Sequence, residues 1–225
     1  MQRIDNPQLN KLILAHLSEL YNLKQARVDT HLSTLVYCLT RSFLDRVNPL
    51  EPTDEEVMLF ALGLGLQDIL TPRGARTPVY ELEGIKFSPD FQFGLRGYLV
   101  ELKTTRMSLR TIKEHLPETW LEYIMGGIWI KNHSGYEPTN SYELSSLLMM
   151  GSYSPPFPLI HSETLVFTDE ELQANWNYLQ QRKAVYEEAL ENNKPPEPFR
   201  WCKDWECKLC RYKLICEAIK IVKEE

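Results

Sequence analysis

Asp90, Glu101 and Lys103 are the residues of this chain whose types and spacing best suit chemistry. The run Tyr98–Lys103 (YLVELK) ends in apolar–charged alternation. A period of two puts Glu101 and Lys103 on one face of a strand and directs Leu102 the other way, into the core. Asp90 follows Ser88–Pro89 at the end of a second short apolar run, Gly84–Phe87, and Gly94 and Gly97 mark a turn between the two. The spacing predicts neighbouring antiparallel strands that bring both carboxylates to one spot. Two such carboxylates suit a hard divalent cation such as Mg²⁺. The lysine beside them can hold an attacking water or a charge developing on a phosphate. Glu-x-Lys is also an ordinary pattern for a solvated strand, so the other end of the chain bears on the reading.

That end carries Cys207-x2-Cys210-x5-Cys216, with Cys202 just ahead of it. Cys-x2-Cys lets two thiolates converge on one metal centre from a single turn. Five cysteines, an odd number bunched at the C-terminus, do not resemble a secreted disulfide framework. Two metal readings stand side by side. Cys202, Cys207, Cys210 and Cys216 form a local four-thiolate set of the kind zinc takes. Alternatively Cys38, far away in sequence, supplies the fourth ligand and joins the N-terminal helices to the tail. No histidine lies beyond His161 to complete a mixed zinc site.

The elements that must position these groups follow from pattern. Apolar residues recur at helical spacing over residues 7–22 and again as one run over 31–44. Thr53 and Glu56 form a capping box that opens a third helix, which Pro72 stops. Gly63 and Gly65 inside that helix fit either a close backbone approach or two tolerated glycines. Strands are predicted from Val79 to Phe87, near 90–93 and over Tyr98–Lys103. Helices follow at 107–115 and 117–130, then strands at Tyr142–Tyr153 and Pro158–Phe167. A second capping box, Thr168 with Glu171, opens a long helix to about Asn192, and a proline-rich linker leads to the cysteines. The divisions are 1–72 (N-terminal helices with Cys38), 73–192 (central core) and 193–225 (linker, cysteine motif and terminal helix), together one compact domain.

The chain has 225 residues, 43% apolar and 25% charged, as expected of a globular protein. A net charge of −6 argues against a surface coated with basic groups but leaves room for a local patch that binds a nucleic-acid backbone. Thr104, Thr105, Arg106, Arg110 and Lys113 form such a donor-rich path, equally readable as a solvated face. Tyr98, Trp120 and Tyr123 could stack bases, a role second to core packing for residues of this type. No run of 18 apolar residues and no signal-like segment is present, which places the chain in the cytoplasm with no membrane partner.

Asp90…Glu101-Leu102-Lys103 resembles the core of the PD-(D/E)XK nucleases, an α/β fold with a mixed central sheet flanked by helices. The tail Trp205-x-Cys207-x2-Cys210-x-Tyr212-x3-Cys216 resembles the C-terminal cysteine motif of the iron–sulfur RecB-like nucleases. Among these the chain is most similar to the CRISPR-associated Cas-four exonucleases, in which an early cysteine followed by an arginine and an aromatic completes the cluster. Cys38-Leu39-Thr40-Arg41-Ser42-Phe43 matches that segment. The resemblance implies a 4Fe–4S cluster on Cys38, Cys207, Cys210 and Cys216. It also implies a Mg²⁺- or Mn²⁺-dependent DNase at Asp90, Glu101 and Lys103, with the Leu102 carbonyl as a further ligand. Single-stranded DNA ends are the implied substrate, with a CRISPR integrase or other recombination proteins as partners.

Two positions depart from the family pattern. Gln67 stands where a histidine ligand is usual. Tyr123 fits the helix after the lysine strand, but Thr119 occupies the place of its glutamine. Three functions therefore remain in view: a metal-dependent DNA exonuclease with a structural cluster, a nuclease-fold DNA-binding or scaffold protein with weak or no turnover, and a zinc protein built on the tail cysteines.

Overall fold

The protein was analysed as a computed structural model that describes residues 7–25, 29–94, 97–149 and 158–224. Chain order begins with α1 (Pro7–Gln25), β1 (Thr30–His31), α2 (Leu32–Val36), α3 (Leu39–Val47) and α4 (Asp54–Leu70). The single helix predicted over 31–44 is thus two, broken at Tyr37 and Cys38, which take extended and N-cap conformations. Distant partners satisfy the backbone groups that the break releases. Arg182 donates to the carbonyls of Leu35 and Tyr37, and the Glu206 carboxylate accepts from the Cys38 N–H at 2.9 Å. Periodicity alone does not reveal such a break.

α4 starts as predicted. The Thr53 hydroxyl accepts from the Glu56 N–H at 3.2 Å, and the Glu56 carboxylate accepts from the Thr53 N–H at 3.0 Å. It ends just before Pro72, with Thr71 extended as a residue preceding proline must be. Among the described residues no atom from outside α4 lies within 4 Å of where a Cβ would sit on Gly63 or Gly65, so no other backbone approaches there. They are tolerated glycines.

β2 (Tyr80–Leu82) and β3 (Ile85–Phe87) divide the predicted Val79–Phe87 strand into a hairpin. Its two-residue turn, Glu83–Gly84, has φ of +50° and +76°, the pattern of a type I′ turn. β1 adds in parallel to β3, closing a three-stranded sheet. Then come β4 (Phe91–Phe93), β5 (Tyr98–Thr105), α5 (Leu109–Glu114), α6 (Glu118–His133), β6 (Ser141–Leu148) and β7 (Leu159–Val166). These strands form a second sheet in the order β4-β5-β6-β7, antiparallel except for the parallel pair β5–β6 that α5 and α6 connect. The architecture is the expected mixed α/β one, but with two sheets in place of a single central sheet. Buried Pro89, which has no N–H to donate, stands between β3 and β4 where the ladder changes partners. The part of the Tyr142–Tyr153 strand prediction beyond Met149 lies outside the described residues.

α7 (Asp169–Glu191) opens with its predicted capping box. A single 3-10 turn at Glu206–Lys208 and α8 (Lys213–Glu224) complete the chain. One hydrophobic cluster joins Leu35 and Phe43, Ile85 and Phe87, Leu99 and Leu144, Ile124 and Ile128, Trp176 and Leu179, and Tyr212 and Cys216. Residues from 1–72, 73–192 and 193–225 therefore share one core. α6 sits against it through Gly126 and Gly127, where an added Cβ would come within 2.8 Å of Leu179 and 2.4 Å of the Phe87 ring.

The core face of the second sheet carries Glu101 and Lys103. Leu102 points to the opposite face, where it lines a shallow groove with Leu70, Phe91, Val100 and Leu147 and does not join the core. The predicted alternation holds, with its sense relative to the core reversed. Among the described residues no helix is long and apolar enough to cross a membrane.

Candidate functional site

β4 and β5 place Asp90 beside Glu101 as the spacing predicted. Phe91 is in register with Val100, so Asp90, one residue before β4, falls next to Glu101. Asp90 Oδ2 accepts the Leu102 N–H at 2.6 Å, which ties it across to β5. Glu101 is 4% exposed; its Oε1 accepts from Lys103 Nζ at 2.6 Å and its Oε2 from the Tyr142 hydroxyl at 3.4 Å. Lys103 Nζ lies 5.9 Å from the Trp120 ring centroid and 5.5 Å from that of Tyr123, so two aromatic rings of α6 wall the ammonium. Tyr123 is held in turn by its hydroxyl, which donates to the Ser88 carbonyl at 3.0 Å.

The electrostatics follow from burial. Burial pushes the Asp90 carboxyl up to about 7, the Glu101 charge adds to the rise, and the Leu102 N–H and Lys103 only partly offset it. Burial works against the Lys103 ammonium, but Glu101, Tyr37 and Asp90 together outweigh it and raise the lysine pKa. One ammonium serves two buried carboxylates, so the site is short of positive charge. A divalent cation on Asp90 and Glu101 fits that deficit. Among the described residues no third His, Cys, Asp or Glu joins the pair, so further ligands would come from backbone, water or substrate.

Of the other predicted site residues, Gln67 makes no hydrogen bond to Asp90, Glu101 or Lys103 among the described residues. Thr104, Arg106 and Arg110 are exposed; Thr105 accepts the Met107 N–H, and Arg110 is paired with Glu114 at 2.8 Å. Three residues were missed. Tyr142 and Ser146 share an inward face of β6, with Ser146 in register with Lys103. Ser146 is 1% exposed, and its hydroxyl has no hydrogen-bond partner among the described residues. A serine at an inward position of an apolar alternation was the available signal. Tyr37, at the α2–α3 break, lies in the electrostatic field of Lys103, Glu101 and Glu206, and burial raises its pKa. Nothing local in the sequence marks it.

The tail brings all five cysteines to one cavity: Cys38, Cys202, Cys207, Cys210 and Cys216, with Arg41, Phe199, Glu206 and Lys213. All are free thiols, and Cys202 Sγ and Cys207 Sγ lie 3.6 Å apart, beyond disulfide length. Glu206 organises the cavity by accepting from both the Cys38 N–H and the Lys203 N–H, at 2.9 and 2.8 Å. Burial raises the Cys38 and Cys210 thiols. It pushes Cys216 up to about 12, helped by charge on Cys38, Cys210 and Cys207. Thiols that resist ionisation because they crowd one another are the donor set a metal centre stabilises. The chemistry fits thiophilic metal. The cavity between them measures about 10 Å³, roughly the room of one water. As arranged, no group of three or more of these side chains is spaced to hold a metal ion among the described residues, so the thiols would have to move to take up either a single ion or a four-iron cluster.

No family model matches the chain, and no curated protein matches it. Among solved structures it is similar to SSO0001, with 17% identity over 93% of this chain and 96% of that one and a TM-score of 0.56. It also aligns with the alkaline exonuclease LHK-Exo from Laribacter hongkongensis, with 14% identity over 73% and 91% of the two chains and a TM-score of 0.48. A phage-related exonuclease from Haemophilus somnus 129PT aligns with 10% identity over 75% and 97% and a TM-score of 0.49. The fold is shared with SSO0001 along nearly the whole chain.

Proposed function

We propose that the protein is a metal-dependent nuclease that hydrolyses phosphodiester bonds at DNA ends. The observation that carries this reading is the buried Asp90–Glu101–Lys103 constellation, two carboxylates and one ammonium on a single sheet face. Asp90 and Glu101 would hold Mg²⁺ or Mn²⁺, with the Leu102 carbonyl as a further ligand. When bound, the cation supplies Lewis acidity and a water acidified toward neutral pH. Lys103 holds its proton and presents a fixed positive charge to the scissile phosphate or the attacking water. Trp120 and Tyr123 keep bulk water from that ammonium and offer faces for a splayed base. Single-stranded ends, work beside a CRISPR integrase or other recombination proteins, and a cytoplasmic setting are the finer parts of the proposal, resting on the sequence resemblance.

The cysteine cavity is read as a structural metal centre. Cys38, Cys207, Cys210 and Cys216 would hold a 4Fe–4S cluster that closes the N-terminal helices onto the tail. The presence of Cys202 in the same cavity supports a second reading, a single zinc ion on Cys202, Cys207, Cys210 and Cys216. Anaerobic purification with metal analysis and a visible spectrum separates them. Iron and sulfide lost in Cys38→Ala and kept in Cys202→Ala support the cluster, while one zinc lost in Cys202→Ala supports the ion.

Cleavage of end-labelled single strands with Mg²⁺ or Mn²⁺ tests the activity. Asp90→Ala abolishes it, and Lys103→Ala slows it by about 10²–10³-fold, with the metal centre intact in both. Wild-type rates in either variant would refute the site. DNA binding without metal-stimulated turnover in the wild type would leave a scaffold in place of an enzyme.

A further inference from the structure

A cavity of about 390 Å³ opens beside the β4–β5 hairpin, lined by Pro72–Arg76, Gln92, Phe93, Gly94 and Gly97. Among the described residues its charged lining is unusual for a chain of net charge −6: exposed Arg73 and Arg76 and no carboxylate. Neither guanidinium has an ion pair or a side-chain hydrogen bond among the described residues. An arginine after a helix ordinarily returns to the last carbonyls of that helix. Neither of these does so for α4, and both stay at the cavity.

The loop that carries them is anchored. Ala75 N–H donates to the Pro72 carbonyl at 3.1 Å, Gly74 has φ of +79°, and the Gln92 N–H donates to the Arg76 carbonyl at 2.7 Å. That last bond fixes Arg76 to β4, the strand that Asp90 precedes. Gln92 shares the Asp90 face and donates its side-chain amide to Tyr80 and to the Gly97 carbonyl. Asp90 and Gln92 are two residues apart, about 7 Å along an extended strand, the reach of a neighbouring nucleotide.

We infer that the Arg73–Arg76 cavity is a phosphate-binding subsite for the nucleic-acid strand, engaging a phosphate adjacent to the one at Asp90 and Glu101. This rests on the nuclease reading and deepens it. Paired guanidinium forks match phosphate oxygens bidentately, and an anion-free wall with no internal partner leaves both forks for the ligand. The strand then runs from the carboxylates toward the β4–β5 hairpin. The exposed path at Thr104–Arg110 lies in the other direction, and Arg110 there is already paired.

The test measures binding of labelled short oligothymidylates ending in a 5′-phosphate, a 3′-phosphate or hydroxyls only, in EDTA so that no cleavage intervenes. The full chain is compared with Arg73→Ala/Arg76→Ala and with Arg73→Lys/Arg76→Lys, after thermal melts confirm unchanged folding. The alanine pair weakens binding by about tenfold or more and lowers the slope of log affinity against log salt by about 0.7, the value for one phosphate contact on a single strand. The lysine pair recovers the slope but not all of the affinity. Loss shared by all three strands identifies an internal phosphodiester as ligand, and loss confined to one phosphorylated end identifies a terminal phosphate. Unchanged affinity and slope in the alanine pair, with the wild type still binding and cleaving DNA, overturn the subsite alone. A wild type that binds no strand overturns the subsite and the nuclease reading together.

Discussion

Asp90 carries a measurable consequence of its burial. Its carboxyl titrates near 7 in the cation-free native state and near 3.8 when unfolded. Between those values the native state holds a proton that the unfolded chain has released, so stability falls as pH rises through about 4 to 7. Thermal melts in EDTA should therefore show a lower Tm at pH 8 than at pH 5. Asp90→Asn, which keeps an oxygen for the Leu102 N–H and removes the charge, should flatten that difference. The same proton opposes a cation. Mn²⁺ affinity should rise by up to about tenfold per pH unit below 7 and level off above it, as Mn²⁺ titration followed by electron paramagnetic resonance would show. An affinity independent of pH would mean that Asp90 is not a ligand. Ser146 belongs to this scale too: its buried hydroxyl, in register with Lys103, is unpartnered among the described residues and available to whatever occupies the site.

At the scale of elements, glycines separate two kinds of helix. Gly127 of α6 lies against Phe87, and an added methyl would come within 2.4 Å of its ring, so Gly127→Ala should destabilise the protein by about 1–3 kcal/mol. Gly63 and Gly65 of α4 have no neighbour within 4 Å, and alanine at either should stabilise by up to about 1 kcal/mol. Urea unfolding of the three variants checks both signs. The residue type alone did not distinguish them, because the difference lies in what packs against each helix. Where the signal is local, reading succeeds. The Thr53–Glu56 and Thr168–Glu171 capping boxes, the Gly94–Gly97 turn and the Asp90–Glu101–Lys103 juxtaposition all follow from spacing within a few residues or one hairpin. The break at Tyr37–Cys38 and the side of β5 that is buried depend on partners more than 40 residues away, such as Arg182, Glu206 and Tyr142, and no local pattern encodes them.

For the molecule as a whole, two polar residues tie the ends together. Arg182 is 3% exposed and donates to the carbonyls of Leu35, Tyr37 and Trp201, and Glu206 bridges the backbones of Cys38 and Lys203. Arg211 adds ion pairs to Asp45 and Glu56. Arg182→Met leaves buried acceptors unpaired and should cost about 3 kcal/mol or more of stability, read by denaturant unfolding. Glu206→Ala should lower the iron or zinc content of the purified protein while Asp90→Asn leaves that content unchanged, since only the former releases the two segments that present the thiols. These contacts span about 168 residues of sequence, and Tyr212 and Cys216 are core residues. A ribosome emits the chain from its first residue onward, so a nascent molecule carries Cys38, α2 and the whole carboxylate hairpin well before their partners exist. The core and thiol cavity can close only once α7, Glu206, Tyr212 and Cys216 have emerged. A product truncated before Glu206 lacks both closures at once.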